Sequence, residues 1–138
     1  MTKRWIVFAT IATLLLAGCA TDRRNNQLQD TLTAYAAAVR WRTFEQASAF
    51  LDPAYRKAHP MTDLDKSRYK QVRVSEYDAG GGPVPAGKNT VHQVVRIGLI
   101  NVHTQRERNI IDRQTWTWDP KAKHWWLTSG LPDITPQP

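Results

Sequence analysis

The sequence predicts an α+β fold, with helices first and an antiparallel sheet after them. Three observations carry this. Leu28, Leu32, Tyr35, Ala36 and Val39 recur at helical spacing. From Val72 onward apolar and polar residues alternate at strand spacing. The order of these two halves favours helices on one face of a meander over helices interleaved with parallel strands. A length of 138 residues leaves room for one domain. With 41% hydrophobic and 22% charged residues, the composition is globular rather than disordered.

The chain opens with a cationic start, Lys3-Arg4, followed by an uncharged run from Trp5 to Gly18. As a helix, about 14 residues at ~1.5 Å each reach about 21 Å, short of the ~30 Å hydrocarbon core. Charge, short apolar run and small residues, in that order, predict an export signal over residues 1–18. The run ends in Leu16-Ala17-Gly18-Cys19, which resembles the lipobox of bacterial lipoproteins. That resemblance implies a diacylglyceryl group on the Cys19 thiol, cleavage before Cys19, and anchorage in a membrane through the lipid. Two or three acyl chains hold a protein firmly where one does not. Ala20, rather than Asp, follows the cysteine. By the same resemblance this implies delivery to the inner leaflet of the outer membrane, facing the periplasm. Cys19 is the one cysteine, so no internal disulfide can form.

Residues 19–26 are polar and read as a lipidated tether, residues 27–134 as the domain, and residues 135–138 as a tail. The first helix follows the tether, kept slim by Ala34, Ala36, Ala37 and Ala38. Thr43-Phe44-Glu45-Gln46 matches a capping box, so a short second helix turns Phe44, Ala47, Phe50 and Leu51 inward. Asp52-Pro53 starts another turn, with Pro53 suited to the first helical position. Thr62-Asp63-Leu64-Asp65 predicts one more.

Val72 and Val74 begin the strands. Gly80 to Asn89 is a loop by composition. A long strand is predicted from Thr90 to His103, apolar on both faces and therefore central to its sheet. Thr104 to Arg108 turns the chain, Ile110 to Trp118 forms the next strand, and His124 to Thr128 the last.

The Ala-rich helix, the short helix from Phe44, the long strands and the Trp116-Thr117-Trp118 to Trp125-Trp126-Leu127 hairpin resemble the nuclear-transport-factor-two-like superfamily. The cystatin-like fold is the nearest alternative. The resemblance implies a bent sheet wrapped around the long helix as a cone with a cavity, and dimerisation through the open sheet face. Relatives include isomerases and dehydratases as well as binding modules, so fold alone assigns no activity.

If Val91, Val95, Ile97 and Leu99 face the helix, Gln93, Asn101 and His103 share that face. On the following strand Ile110, Trp116 and Trp118 match it, accompanied by Asp112 and Gln114. His103 and Asp112 are thus the pocket candidates for general acid–base work. The competing reading puts both at the rim, solvated or paired with Arg106, Arg108 or Arg113. A phase error of one residue would turn the whole set outward.

Nothing else marks chemistry. The histidines match no metal-ligand spacing, and no second Cys is available. Gly80-Gly81-Gly82 lacks the Lys-Ser/Thr of a phosphate loop, and there is no G-x-S-x-G elbow. No metal or cofactor is expected.

Loss of Lys3 and Arg4 with the signal takes the formal charge of +7 down by two, to +5. This surplus is spread along the chain and favours anionic surroundings. A lipid-tethered envelope protein meets little nucleic acid, so an anionic lipid or an envelope protein is the expected partner. The leading expectation is a non-catalytic binding or scaffolding module. A small pocket enzyme of isomerase or dehydratase type, and a hydrophobic-ligand carrier, are the alternatives.

Overall fold

The computed structural model describes residues 2–136, with side chains described from residue 18 onward. The side chains of the expected export signal up to residue 17 therefore lie outside the described residues, as do Gln137 and Pro138 of the predicted tail.

The fold is α+β: an N-terminal helix packed on a curled antiparallel half-barrel sheet. Helix α1 spans Thr2–Trp41. It runs through residues 19–26 without a break, so the predicted tether is helical. The polar residues there do not interrupt a helix that neighbouring turns already propagate. Leu28, Leu32, Tyr35, Ala38 and Val39 form its buried stripe, while Ala36 is half-buried.

Three short helices follow: α2 (Phe44–Ala47, continued by a 3-10 turn over Ser48–Phe50), α3 (Pro53–Ala58) and α4 (Asp63–Tyr69). Thr43 Oγ1 accepts from the Gln46 N–H at 3.1 Å, and Asp52 Oδ2 accepts from the Tyr55 N–H at 2.9 Å. These bonds satisfy amides that the helix itself leaves free. A full reciprocal box caps α4. Thr62 Oγ1 accepts from the Asp65 N–H at 3.1 Å, and Asp65 Oδ2 accepts from the Thr62 N–H at 2.9 Å.

The strands are β1 (Val72–Asp78), β2 (Val84–Pro85), β3 (Thr90–Asn101), β4 (Glu107–Asp119) and β5 (His124–Leu127). They lie in the order β1-β3-β4-β5, with β2 added to β3. The β3–β4 ladder runs from Thr90 opposite Thr117 to Ile100 opposite Glu107. Its inner face carries Val91, Val95, Ile97, Leu99 and Trp116, which close the core against α1. Trp125 is buried and its neighbour Trp126 half-buried, as opposite faces of one strand require.

A bulge bends β1. Val74 pairs with Leu99 and Tyr77 with Ile97, with the register shift between Val74 and Glu76. The extra residue, Ser75, reverses the side-chain phase, so Val74 and Tyr77 both face inward although three positions separate them. The bulge needs Gly98 beneath it. A Cβ on Gly98 would stand 2.5 Å from Ser75 Oγ.

The long strand β3 ends at Asn101, two residues before the predicted end at His103. Asn101 Oδ1 accepts from the His103 N–H at 2.9 Å and the Thr104 N–H at 3.0 Å. This side-chain carbonyl takes the backbone donors that a longer ladder would have used. Gln105, at φ 58°, supplies the left-handed residue in a turn without glycine.

Candidate functional site

Two places carry polar chemistry, and they are separate. The first is a cluster inside the sheet. β3 and β4 deliver Gln93, Asp112 and Gln114 to the inner face, and the bulged β1 delivers Tyr77. Gln114 lies at the centre. Its Nε2 donates to Asp112 Oδ2 at 2.7 Å and to the Tyr77 hydroxyl oxygen at 3.0 Å. Its Oε1 accepts from Trp116 Nε1 at 3.1 Å and, at 3.5 Å, from Gln93 Nε2. Both amide hydrogens and both carbonyl lone pairs are thereby used, which is what keeps a buried amide tolerable.

Asp112 is 8% exposed. Burial pushes its carboxyl up to about 6, with the Gln114 hydrogen bond pulling the other way. Desolvation likewise holds the Tyr77 hydroxyl at about 12. The Tyr35 hydroxyl, on the helix opposite, is raised well above its ordinary value by burial first and then by Asp112. It is buried without a hydrogen-bond partner among the described residues. The Tyr35 ring is held edge-on by Phe50 at 5.5 Å and Trp116 at 5.2 Å.

The inward set predicted from strand phase is found where expected for Gln93, Asp112, Gln114 and Trp116. His103 is not part of it. It lies exposed in the β3–β4 turn, because the strand stops at Asn101. The structure thus separates the two pocket candidates. Tyr35, already marked as inward by the helical stripe, and Tyr77 complete the cluster; Tyr77 had no signal in the sequence beyond its residue type.

The second place is a cavity of about 570 Å³ at the C-terminal end of α1, between α2, α4 and β1. Val39, Phe44, Tyr69 and Val74 supply its apolar lining. Phe44 and Tyr69 stack with centroids 4.4 Å apart. Around them stand Arg40, Arg42, Lys66, Lys70 and Arg73, against the single carboxylate of Glu45. Lys66 is drawn to Glu45 at 3.8 Å and to Asp63 at 3.9 Å. Arg40 lies over the ring of Trp41, which is 73% exposed. An adjoining cavity of about 450 Å³ shares Glu45, Met61, Lys66 and Tyr69. Neither cavity is lined by Asp112 or His103.

Cys19 is exposed on α1. One and a half turns later the helix is fixed to the sheet. Arg24 donates to Lys88 O at 2.9 Å and to Asn89 Oδ1 at 3.2 Å, and Trp125 Nε1 donates to Arg24 O at 3.1 Å. The guanidinium also stands 5.7 Å from the Trp125 ring centre. Among the described residues no helix is long and apolar enough to cross a membrane, and no group of three potential ligands could hold a metal ion.

Comparison of the chain with protein-family models, with curated proteins and with solved structures finds no match.

Proposed function

We propose that this chain is an exported lipoprotein, acylated at Cys19 and held at the periplasmic face of the outer membrane, whose domain is a non-catalytic binding module. The observation that carries the reading is Leu16-Ala17-Gly18-Cys19 directly after an uncharged run and a cationic start. An exposed Cys19 supports it. About five residues of helix, ~8 Å, then separate the lipid from Arg24, whose side chain is bonded to the loop before β3. The helix on a curled sheet also supports membership of the nuclear-transport-factor-two-like architecture.

Binding without chemistry is supported by the state of Asp112. Its Gln114 neighbour has no free hydrogen-bonding capacity, and neither cavity reaches it. One observation favours a second reading, a small pocket enzyme of isomerase or dehydratase type: a carboxyl near 6 among tyrosines suits a general base.

Labelled palmitate tests the anchor. It should enter the wild-type protein and not Cys19→Ser; equal labelling of both ends the lipoprotein reading. Asp112→Asn tests the domain. Introduced into a strain lacking the protein, it should complement as well as the wild type, whereas a folded but inactive Asp112→Asn would favour the enzyme.

A further inference from the structure

The cavity at the end of α1 combines two properties. Its floor is apolar and aromatic, and its volume of about 570 Å³ lies within the range of small-molecule sites. All of its charged lining residues but Glu45 are cationic. Five basic side chains face one carboxylate, and that carboxylate is already engaged by Lys66. Arg42, Lys70 and Arg73 have no acidic partner among the described residues. Like charges gathered around a low-dielectric hollow repel one another and focus positive potential into it. An anion relieves that repulsion, and an apolar chain fills the floor.

We infer that this cavity binds an amphipathic anion: a single acyl chain ending in a carboxylate or a phosphate. The chain lies over Phe44, Tyr69 and Val74, and the head group is held by Arg42 and Lys70. A neutral amphiphile satisfies only half of the site. A free inorganic anion satisfies only the other half, at exposed side chains where ion pairs are weak. The site lies at the opposite end of the docked part of α1 from Arg24, about 16 residues or ~24 Å along the helix. It is therefore independent of whether Cys19 carries a lipid.

The test uses the full chain in the intact cells that produce it, with photoreactive diazirine probes and mapping of the labelled peptides. Three probes share one acyl chain: a fatty carboxylate, a lysophosphatidate and an uncharged monoglyceride. The expected result is labelling within residues 39–45 or 69–74 by at least one anionic probe, competed by its unlabelled form. Which anionic probe labels identifies the head group and hence the source, free fatty acid or lysophospholipid. The monoglyceride should label those peptides at least tenfold less. Arg42→Glu/Lys70→Glu should weaken anionic labelling about tenfold or more with an unchanged melting temperature. Should that variant unfold, Arg42→Gln/Lys70→Gln removes the charge without reversing it and is read in the same way. Absence of labelling at these peptides, equal labelling by the monoglyceride, or indifference to the folded charge variant would each overturn the inference.

Discussion

Gln114 donates to Asp112 across 2.7 Å inside the sheet, and that bond is the shortest in a network reaching Tyr77, Trp116 and Gln93. It holds a carboxyl in a place that disfavours its charge, so stability must depend on pH there. The folded carboxyl is raised from 3.8 to about 6. Its stabilising contribution is complete below about 3.8 and is lost as pH rises through about 6. The loss is on the order of 3 kcal/mol. Urea unfolding should give the wild type a fall of this size between pH 4 and 7. Asp112→Asn should abolish that fall. An Asp112→Asn profile as steep as the wild type's would show that the carboxyl does not titrate here.

Tyr35 makes a sharper case. Its hydroxyl is buried without a hydrogen-bond partner among the described residues, while its ring is locked between Phe50 and Trp116. Tyr35→Phe removes an unsatisfied group and keeps the packing. Its melting temperature should equal or exceed the wild type's, with a gain of up to about 1–3 kcal/mol. Tyr35→Ala should cost about 3–5 kcal/mol. A loss above about 1 kcal/mol in Tyr35→Phe would mean that the hydroxyl is bonded after all.

Gly98→Ala should be destabilising by about 1–3 kcal/mol, because its Cβ meets Ser75 Oγ at 2.5 Å and Glu76 at 3.3 Å. Ser75→Gly should recover most of that loss, and a double-mutant cycle in denaturant measures the recovery. Purely additive effects would rule out the clash as the cause.

Arg24→Ala should loosen the start of the domain without unfolding it. It removes the bonds to Lys88 and Asn89 and the contact over Trp125, a change of about 1 kcal/mol. Hydrogen exchange should quicken over residues 20–28 while β3 and β4 stay protected. Uniform quickening across the sheet would contradict a local clasp.

The sequence made the helix stripe and the inward face of β3 legible, because both depend on periodicity alone. Asp112, Gln114 and Trp116 followed from the same phase. Where periodicity is broken by a single residue, the reading failed. The bulge at Ser75 moves Tyr77 to the inner face, and nothing in the alternation of β1 announces it. Asn101 ends β3 early by taking two amides with its side chain, which carries His103 out of the sheet. Residues 19–26 are polar enough to read as a tether, yet α1 extends through them. The cationic cavity draws its rim from α1, the segment after it, α4 and β1, and such a gathering is visible only once the chain is folded.

The kink in β1 has a consequence for how this molecule meets copies of itself. β1 is an outer strand, and a straight outer strand is a template on which a second chain can zip up. Here a stranger laid alongside would keep step for only a few residues before the backbone turned away beneath it. Exposed Arg73, Glu76 and Asp78 along the same strand add a mixed-charge fringe that another chain must match. One irregular residue thus brings Tyr77 into the core and spoils the border of the sheet as a seed for fibres.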